Sequence, residues 1–331
     1  MGAAKRDGNA HVRRSPAFGL AILGSVLAGA LAATQSRING ELARELDDGY
    51  LAAAISFGSG LVVLLVVLPL WPPGRTGARR LLASVRSRQT PWWYLIAGVA
   101  GALVVLSQSL TTAVLGVALF TVALVCGQVV SGLIVDRLGI GRMAPAPVTS
   151  ARLAGSILAF AAVAWTGFSG LRADIPLWTL VLPLIAGIGI GWQQAVIGQL
   201  RAVAGSAVSA TLVHFAVGSC VLVVATVVHS NLVGWPATLP VEPYLYLGGC
   251  IGAIFIGLSS VVVRRTGVLL LGLGTIAGQL VASLGFDLLA PITGRGITYP
   301  ILAGTALALL AVVLAAVPSK PIGRPVTPPS P

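Results

Sequence analysis

Charge is what this 331-residue chain has least of. Only 9% of its residues are Asp, Glu, Lys or Arg, and just nine of those are acidic. A soluble domain carries about 25% charged residues, so no stretch reads as a separate soluble domain. Cysteine is scarce as well. Cys126, Cys220 and Cys250 all lie inside apolar runs, which excludes a disulfide framework or metal-ligand spacing and makes them expected core residues. The absence of a P-loop excludes an ATP-driven pump within the chain. There is no metal-binding His/Glu motif, no G-x-S-x-G and no paired carboxylate at depth, which weighs against an intramembrane enzyme. Catalytic residues, metal sites and cofactors are therefore not expected.

What the chain has is hydrophobic length. Hydrophobic residues make up 56% of it, in runs of roughly 18 to 22, the length that crosses about 30 Å of hydrocarbon. Ten spans are expected: 17–34, 50–70, 92–113, 116–135, 152–167, 177–196, 207–228, 244–263, 268–289 and 297–317. The first resembles a signal peptide, but its kinship with residues 177–194 in mid-chain marks it as a retained span. Residues 1–16 and the Pro-rich 318–331 read as disordered cytoplasmic tails. With both termini in the cytoplasm, the 21 Lys and Arg divide 17 inside to 4 outside, as the positive-inside rule demands. The net charge of +12 is thus a topology signal with attraction to anionic lipid as a by-product, and nucleic acid is not an expected partner. Six of the seven tryptophans (Trp71, Trp92, Trp93, Trp165, Trp178 and Trp235) fall at span ends as an aromatic belt.

The chain repeats itself. Residues 35–60 align without a gap on 193–218: Gln35 on Gln193, Gly40 on Gly198, Leu42 on Leu200, Phe57 on Phe215 and Gly60 on Gly218. A second block, 92–138, aligns at an offset of 151: Gly98 on Gly249, Gly101 on Gly252, Gly116 on Gly267, Gly127-Gln128 on Gly278-Gln279, and Asp136 on Asp287. Each half (17–170 and 171–317) holds five spans. Five is odd, so the halves enter the membrane from opposite sides, as inverted repeats. The expected fold is an all-α polytopic membrane protein with ten transmembrane helices in two inverted five-helix repeats.

Q-x-x-I-N-G at Gln35, I-S-F-x-x-G at Ile55, W-Q-Q-x-V-x-G at Trp192 and G-Q at Gly127 and Gly278 resemble the YdcZ-type branch of the drug/metabolite transporter (DMT, EamA-like) superfamily, over roughly 17–317. The resemblance implies an exporter-like fold in the inner (plasma) membrane and names no cargo. Asn39 is matched by Ile197, so a role needing a symmetric Asn pair lacks its second member. Small multidrug exporters of that superfamily use a mid-membrane Glu, which has no counterpart at the expected midplane here. A neutral or zwitterionic solute fits the amide-rich interior better than a lipophilic cation.

Polar side chains in hydrocarbon are costly and tend to be functional or to join helices. The substrate-binding candidates are Gln128 and Gln279, expected to face each other across a central cavity, with Gln108 and Trp192. The bland alternative is that each Gln bonds a neighbouring helix. Gln35 with Asn39, and Gln193 with Gln194, are gate candidates at expected helix ends, where Gly40 and Gly198 equally suit helix caps. His214 is a proton-relay candidate against the alternative of a packing residue. Asp136 and Asp287 read as solvated or salt-bridged helix termini. The function expected is a secondary transporter of a small polar or drug-like solute. A membrane scaffold and an intramembrane enzyme are the alternatives. The partners expected are the solute and the bilayer, and homodimerisation is left open.

Overall fold

A computed structural model describes residues 16–140, 147–167, 178–289 and 299–319. The side chains of 108–122 and of a few other residues, Asp287 among them, fall outside that description, as does most of both expected tails. The described chain is helical: α1 (Pro16–Leu46), α2 (Gly49–Leu70), α3 (Pro72–Arg86), α4 (Ala97–Leu138), α5 (Ser150–Gly167), α6 (Trp178–Ala204), α7 (Ala207–Val233), α8 (Gly248–Leu289) and α9 (Tyr299–Ala316), with short 3-10 turns at Trp92–Tyr94 and Pro243–Tyr246. Five helices among the described residues are long and apolar enough to cross a membrane.

The apolar runs recur as helix, but element boundaries depart from the sequence reading in three ways. First, α1 and α6 run on past the expected span ends, so Gly40 and Gly198 lie inside helices and cap nothing. The true stops come later and are equivalent in the two repeats. Asp47 (φ 50°) and Gly205 (φ 67°) turn the chain through the left-handed region. The next residue then caps the following helix: Asp48 accepts from the backbone N–H of Tyr50 and Leu51, and Ser206 from that of Ser209. Second, residues 72–86, expected as a loop, form the helix α3. Gly74 and Gly77 seat it on the α6–α7 junction, where Ser209 Oγ donates to the Gly74 carbonyl at 2.8 Å. A Cβ at Gly77 would overlap Ser206, Ser209 and the Ala204 carbonyl.

Third, α4 and α8 each join two expected spans. A straight 42-residue helix would be about 63 Å long, twice the ~30 Å hydrocarbon core. Gly267 breaks α8 with a backbone no L-residue readily adopts (φ 79°, ψ 172°). Asp136 fills the break: its carboxylate accepts the N–H of Val268 (2.7 Å) and Leu269 (3.2 Å), and Arg152, buried beside it, pairs with the same group. In α4, Gly187 borders Gln128 while Gly189, two residues on, borders Ala100. Ala100 and Gln128 would be about 42 Å apart on a straight helix, so α4 doubles back between its two limbs.

Packing rests on small residues that let backbones touch. The second limb of α4 crosses α6, and the second limb of α8 crosses α1, in the same way. A Cβ on Gly187 would overlap the Leu124 carbonyl and lie 2.9 Å from Gln128 N. A Cβ on Gly29 would overlap the Thr275 carbonyl and lie 2.9 Å from Gln279 N. Gly29 and Gly187 are repeat equivalents, as are Leu124 and Thr275. The Gly187–Gly191 run is thus a helical packing surface. The cysteines differ from the expected core placement: Cys220 is exposed, and Cys126 and Cys250 are half-buried.

Candidate functional site

The two halves meet at the crossing of α2 and α7. Phe57 and Phe215 each lie eight residues into their helix, about 12 Å from its start, and their rings meet at 5.1 Å between centroids, tilted by 34°. The contact is reciprocal. Phe57 occupies the space a Cβ on Gly218 would need, and Phe215 the space a Cβ on Gly60 would need. Each aromatic thus sits over the glycine of its partner's repeat. The first limbs of α4 and α8 flank the crossing in equivalent ways. Gly98 presses on the His214 carbonyl and Gly218 N, and Gly249 on the Ser56 carbonyl and Gly60 N.

Around this crossing lie buried polar atoms with no hydrogen-bond partner. They are Asn39 Oδ1, Ser56 Oγ, Gln193 Oε1, Gln194 Oε1, Thr211 Oγ1 and His214 Nδ1. Each such group costs about 1–3 kcal/mol if left dry, so a fold that keeps several has a use for them or hydrates them. Asn39 reaches into the space above Gly248, which is also where Ser56 Oγ points. One turn away, the Gln35 amide covers Gly252. On the other half the His214 ring lies against Gly101 and 5.9 Å from the Phe57 ring. Thr211, one turn from His214, faces Gly257.

The gate candidates Gln35, Asn39, Gln193 and Gln194 and the candidate His214 therefore belong to the α2–α7 region, though within helices and not at their ends. Gln128 and Gln279 do not meet. Gln128 is buried with its amide against Gly272 of α8, and Gly132 meets Leu269, so the two second limbs run antiparallel. That sets Gln279 seven residues, about 10 Å, away from the level of Gln128. The backbone of each glutamine instead serves the glycine crossings described above. Trp192 stacks with Trp93 at 6.3 Å between centroids and lines an apolar cavity of about 210 Å³ with Val130, Ser131 and Ile188. The Gln108 side chain lies outside the described residues, as does that of Asp287. Of the two states left open for Asp136, solvated or salt-bridged, the structure has the second, buried against Arg152. Sequence reasoning missed Ser56 and Thr211, and noted Phe57 and Phe215 only as alignment marks. The signal was there: F-x-x-G in both α2 and α7 puts ring and gap on one helix face.

Comparison with known proteins fits this geometry. A family model described as "Putative inner membrane exporter, YdcZ" matches residues 20–165 and 178–314. The chain belongs to the YdcZ family. That makes this YdcZ-family chain a membrane protein of a transporter family, and points away from an enzyme. The match falls in two segments, one in each half. A search of curated proteins found no match. One of 24 matching solved chains, a crystal structure of a protein, superposes with a TM-score of 0.59 at 15% identity, covering 90% of this chain and 96% of its own length. At that identity the likeness concerns the fold alone.

Proposed function

We propose that this YdcZ-family protein is a secondary transporter in which two inverted five-helix halves, residues 17–170 and 171–317, alternate access to a path through the α2–α7 crossing. One observation carries the reading: the reciprocal Phe57–Gly218 and Phe215–Gly60 contact, flanked on both sides by unpartnered polar atoms. A contact in which residue i meets j and its equivalent j meets i is the mark of a two-fold relation, here between repeats of one chain. The paired rings close the path between the Asn39–Ser56 side and the Thr211–His214 side. Exchange of conformations between the halves opens each side in turn.

The unpartnered groups are amides, hydroxyls and an imidazole, with no carboxylate among them. They suit a neutral or zwitterionic solute that both donates and accepts hydrogen bonds. Gln35, Asn39, Gln193 and Gln194 line the two approaches, and His214 is the one titratable group among them. Gln128 and Gln279 act in helix crossing, and Gln108 and Trp192 are secondary binding candidates. The charge bias supports both termini in the cytoplasm.

The test is reconstitution in liposomes, with solid-supported-membrane currents and radiolabelled exchange recorded over amino acids, amines, sugars and lipophilic cations, with and without a pH gradient. Saturable transport that is lost in Ser56→Ala plus Thr211→Ala and kept in Gln128→Leu plus Gln279→Leu supports the crossing as the path. The reverse pattern returns the site to the glutamines. No exchange of any solute, with no thermal stabilisation by any, removes the transporter reading in favour of a scaffold.

A further inference from the structure

The end of the molecule that carries α3 has cations without counter-ions. Arg201 stands close enough to Arg264 and Arg265 for the three charges to repel one another. Asp136 is the sole carboxylate at that end among the described residues, and Arg152 occupies it. Between α3 and the end of α6 opens a cleft of about 510 Å³, lined by Arg80, Ser84, Ser87, Gln89, Thr90 and Gln199 among others, and by no acid.

The groups in the cleft are biased toward donation. Arg264 Nη1 donates to Gln199 Oε1 at 3.0 Å, so the Gln199 amide is left with N–H to offer. Ser84 and Thr90 share one hydrogen bond at 2.7 Å, and whichever hydroxyl accepts keeps its own hydrogen for a ligand. Arg80 extends along the cleft beside Gly205, and no ion pair forms with it among the described residues. A guanidinium, hydroxyls and an amide N–H around a space free of carboxylates are the chemistry of phosphate recognition. Depth agrees. Trp71 and Trp92, both exposed, bracket α3, and exposed tryptophans mark the headgroup level of a bilayer.

We propose that the cleft between α3 and α6 binds a phosphate group, with Arg80 as its principal cation and the Gln199 amide and one hydroxyl of the Ser84–Thr90 pair as donors. The geometry suits the headgroup of an anionic phospholipid. A soluble phosphate offers the same chemistry. Bound there, the group neutralises the cationic end and ties α3 to the α6–α7 junction. The site is independent of the solute path at the α2–α7 crossing and rests only on membership of a membrane family.

The experiment uses the full chain, delipidated in non-ionic detergent, at constant ionic strength. Thermal unfolding is titrated with phosphatidylglycerol, phosphatidylcholine and inorganic phosphate, for the wild type, Arg80→Gln and Arg79→Gln. Arg79 is exposed on the same helix but does not line the cleft, so its variant removes the same charge without touching the site. The expected result is that Arg80→Gln weakens apparent phosphatidylglycerol affinity about fivefold, one basic residue's share near a membrane surface, while Arg79→Gln leaves it unchanged. Native mass spectrometry of the wild type gives a second reading, in which one phosphatidylglycerol survives activation that strips phosphatidylcholine. An equal, Arg80-dependent stabilisation by inorganic phosphate supports the site and names a soluble ligand as its occupant. Equal losses in both variants, or no Arg80-dependent ligand effect, overturn the proposal.

Discussion

Two regions of the molecule, each built from residues of both halves, share a skeleton and differ in chemistry. In one, Gly249 packs on Ser56 and Gly60, Gly252 lies under Gln35, and Gly248 makes room for Asn39. In the other, Gly98 packs on His214 and Gly218, and Gly101 lies under the His214 ring. At the Gly248 position the second region has Ala97, and opposite it Ile197 replaces Asn39. The backbone contacts are held in both because glycine spacing sets how closely helices approach. The polar groups are not held in common. Packing thus keeps the two regions alike in backbone, while one carries an amide and a hydroxyl and the other an imidazole and a hydroxyl.

The comparison breaks most severely where one member of a buried pair has no substitute. Arg152→Leu strands the buried Asp136 carboxylate that holds the Gly267 break, and is expected to cost about 3–5 kcal/mol, read as a fall in the unfolding midpoint in detergent. An unchanged midpoint would show that the break needs no charge. Next come the glycine crossings. Gly29→Ala and Gly187→Ala each put a methyl into a carbonyl oxygen of the facing helix, and overpacking of this kind costs about 1–3 kcal/mol. Because the two sites are equivalent, their losses should agree within about 0.5 kcal/mol. A large difference would mean that the two crossings bear unequal loads.

A double-mutant cycle sharpens the reciprocal contact. Phe57→Leu and Phe215→Leu should each destabilise, and their coupling should be about 0.5–1.5 kcal/mol, the value of an aromatic pair beyond its burial. Additive losses would mean that the rings touch without interacting. Asn39→Ala tests the chemical asymmetry: it removes an unpartnered buried oxygen, so stability should shift by less than about 1 kcal/mol, while solute exchange falls at least tenfold. Retained exchange would take Asn39 off the path. The smallest effect belongs to Gly40→Ala. That glycine lies in helix with nothing near its missing Cβ, and the change should stabilise by up to about 1 kcal/mol.

The repeats were legible in the sequence because duplicated glycines and glutamines keep their spacing, and a helix crossing tolerates little change at its contact residues. Helix ends were less legible. Asp47 and Gly205 turn the chain by the same backbone conformation with unlike side chains, so only the structure reveals them as equivalents. The helix α3 was hidden because a short, Arg-rich stretch with two prolines at its start reads as loop until Gly74 and Gly77 find the α6–α7 junction. For the candidate site, Gln35, Asn39, Gln193, Gln194 and His214 stood out as polar residues among apolar ones. Ser56 and Thr211 did not, since a serine or threonine in a span commonly bonds its own helix, as Thr275 does to Leu271.

Composition, span length, the duplicated blocks and the motifs by themselves determined that this is a helical membrane protein of the YdcZ family. Those properties follow from hydrophobic length and local spacing, which the chain carries residue by residue. Only the tertiary structure decided which polar residues meet. Gln128 and Gln279 are equivalent in sequence yet lie about 10 Å out of level, because the antiparallel limbs set Gln128 beside Gly272 and not beside Gln279. Phe57 and Phe215 do meet, and their meeting depends on how far along each helix the crossing falls.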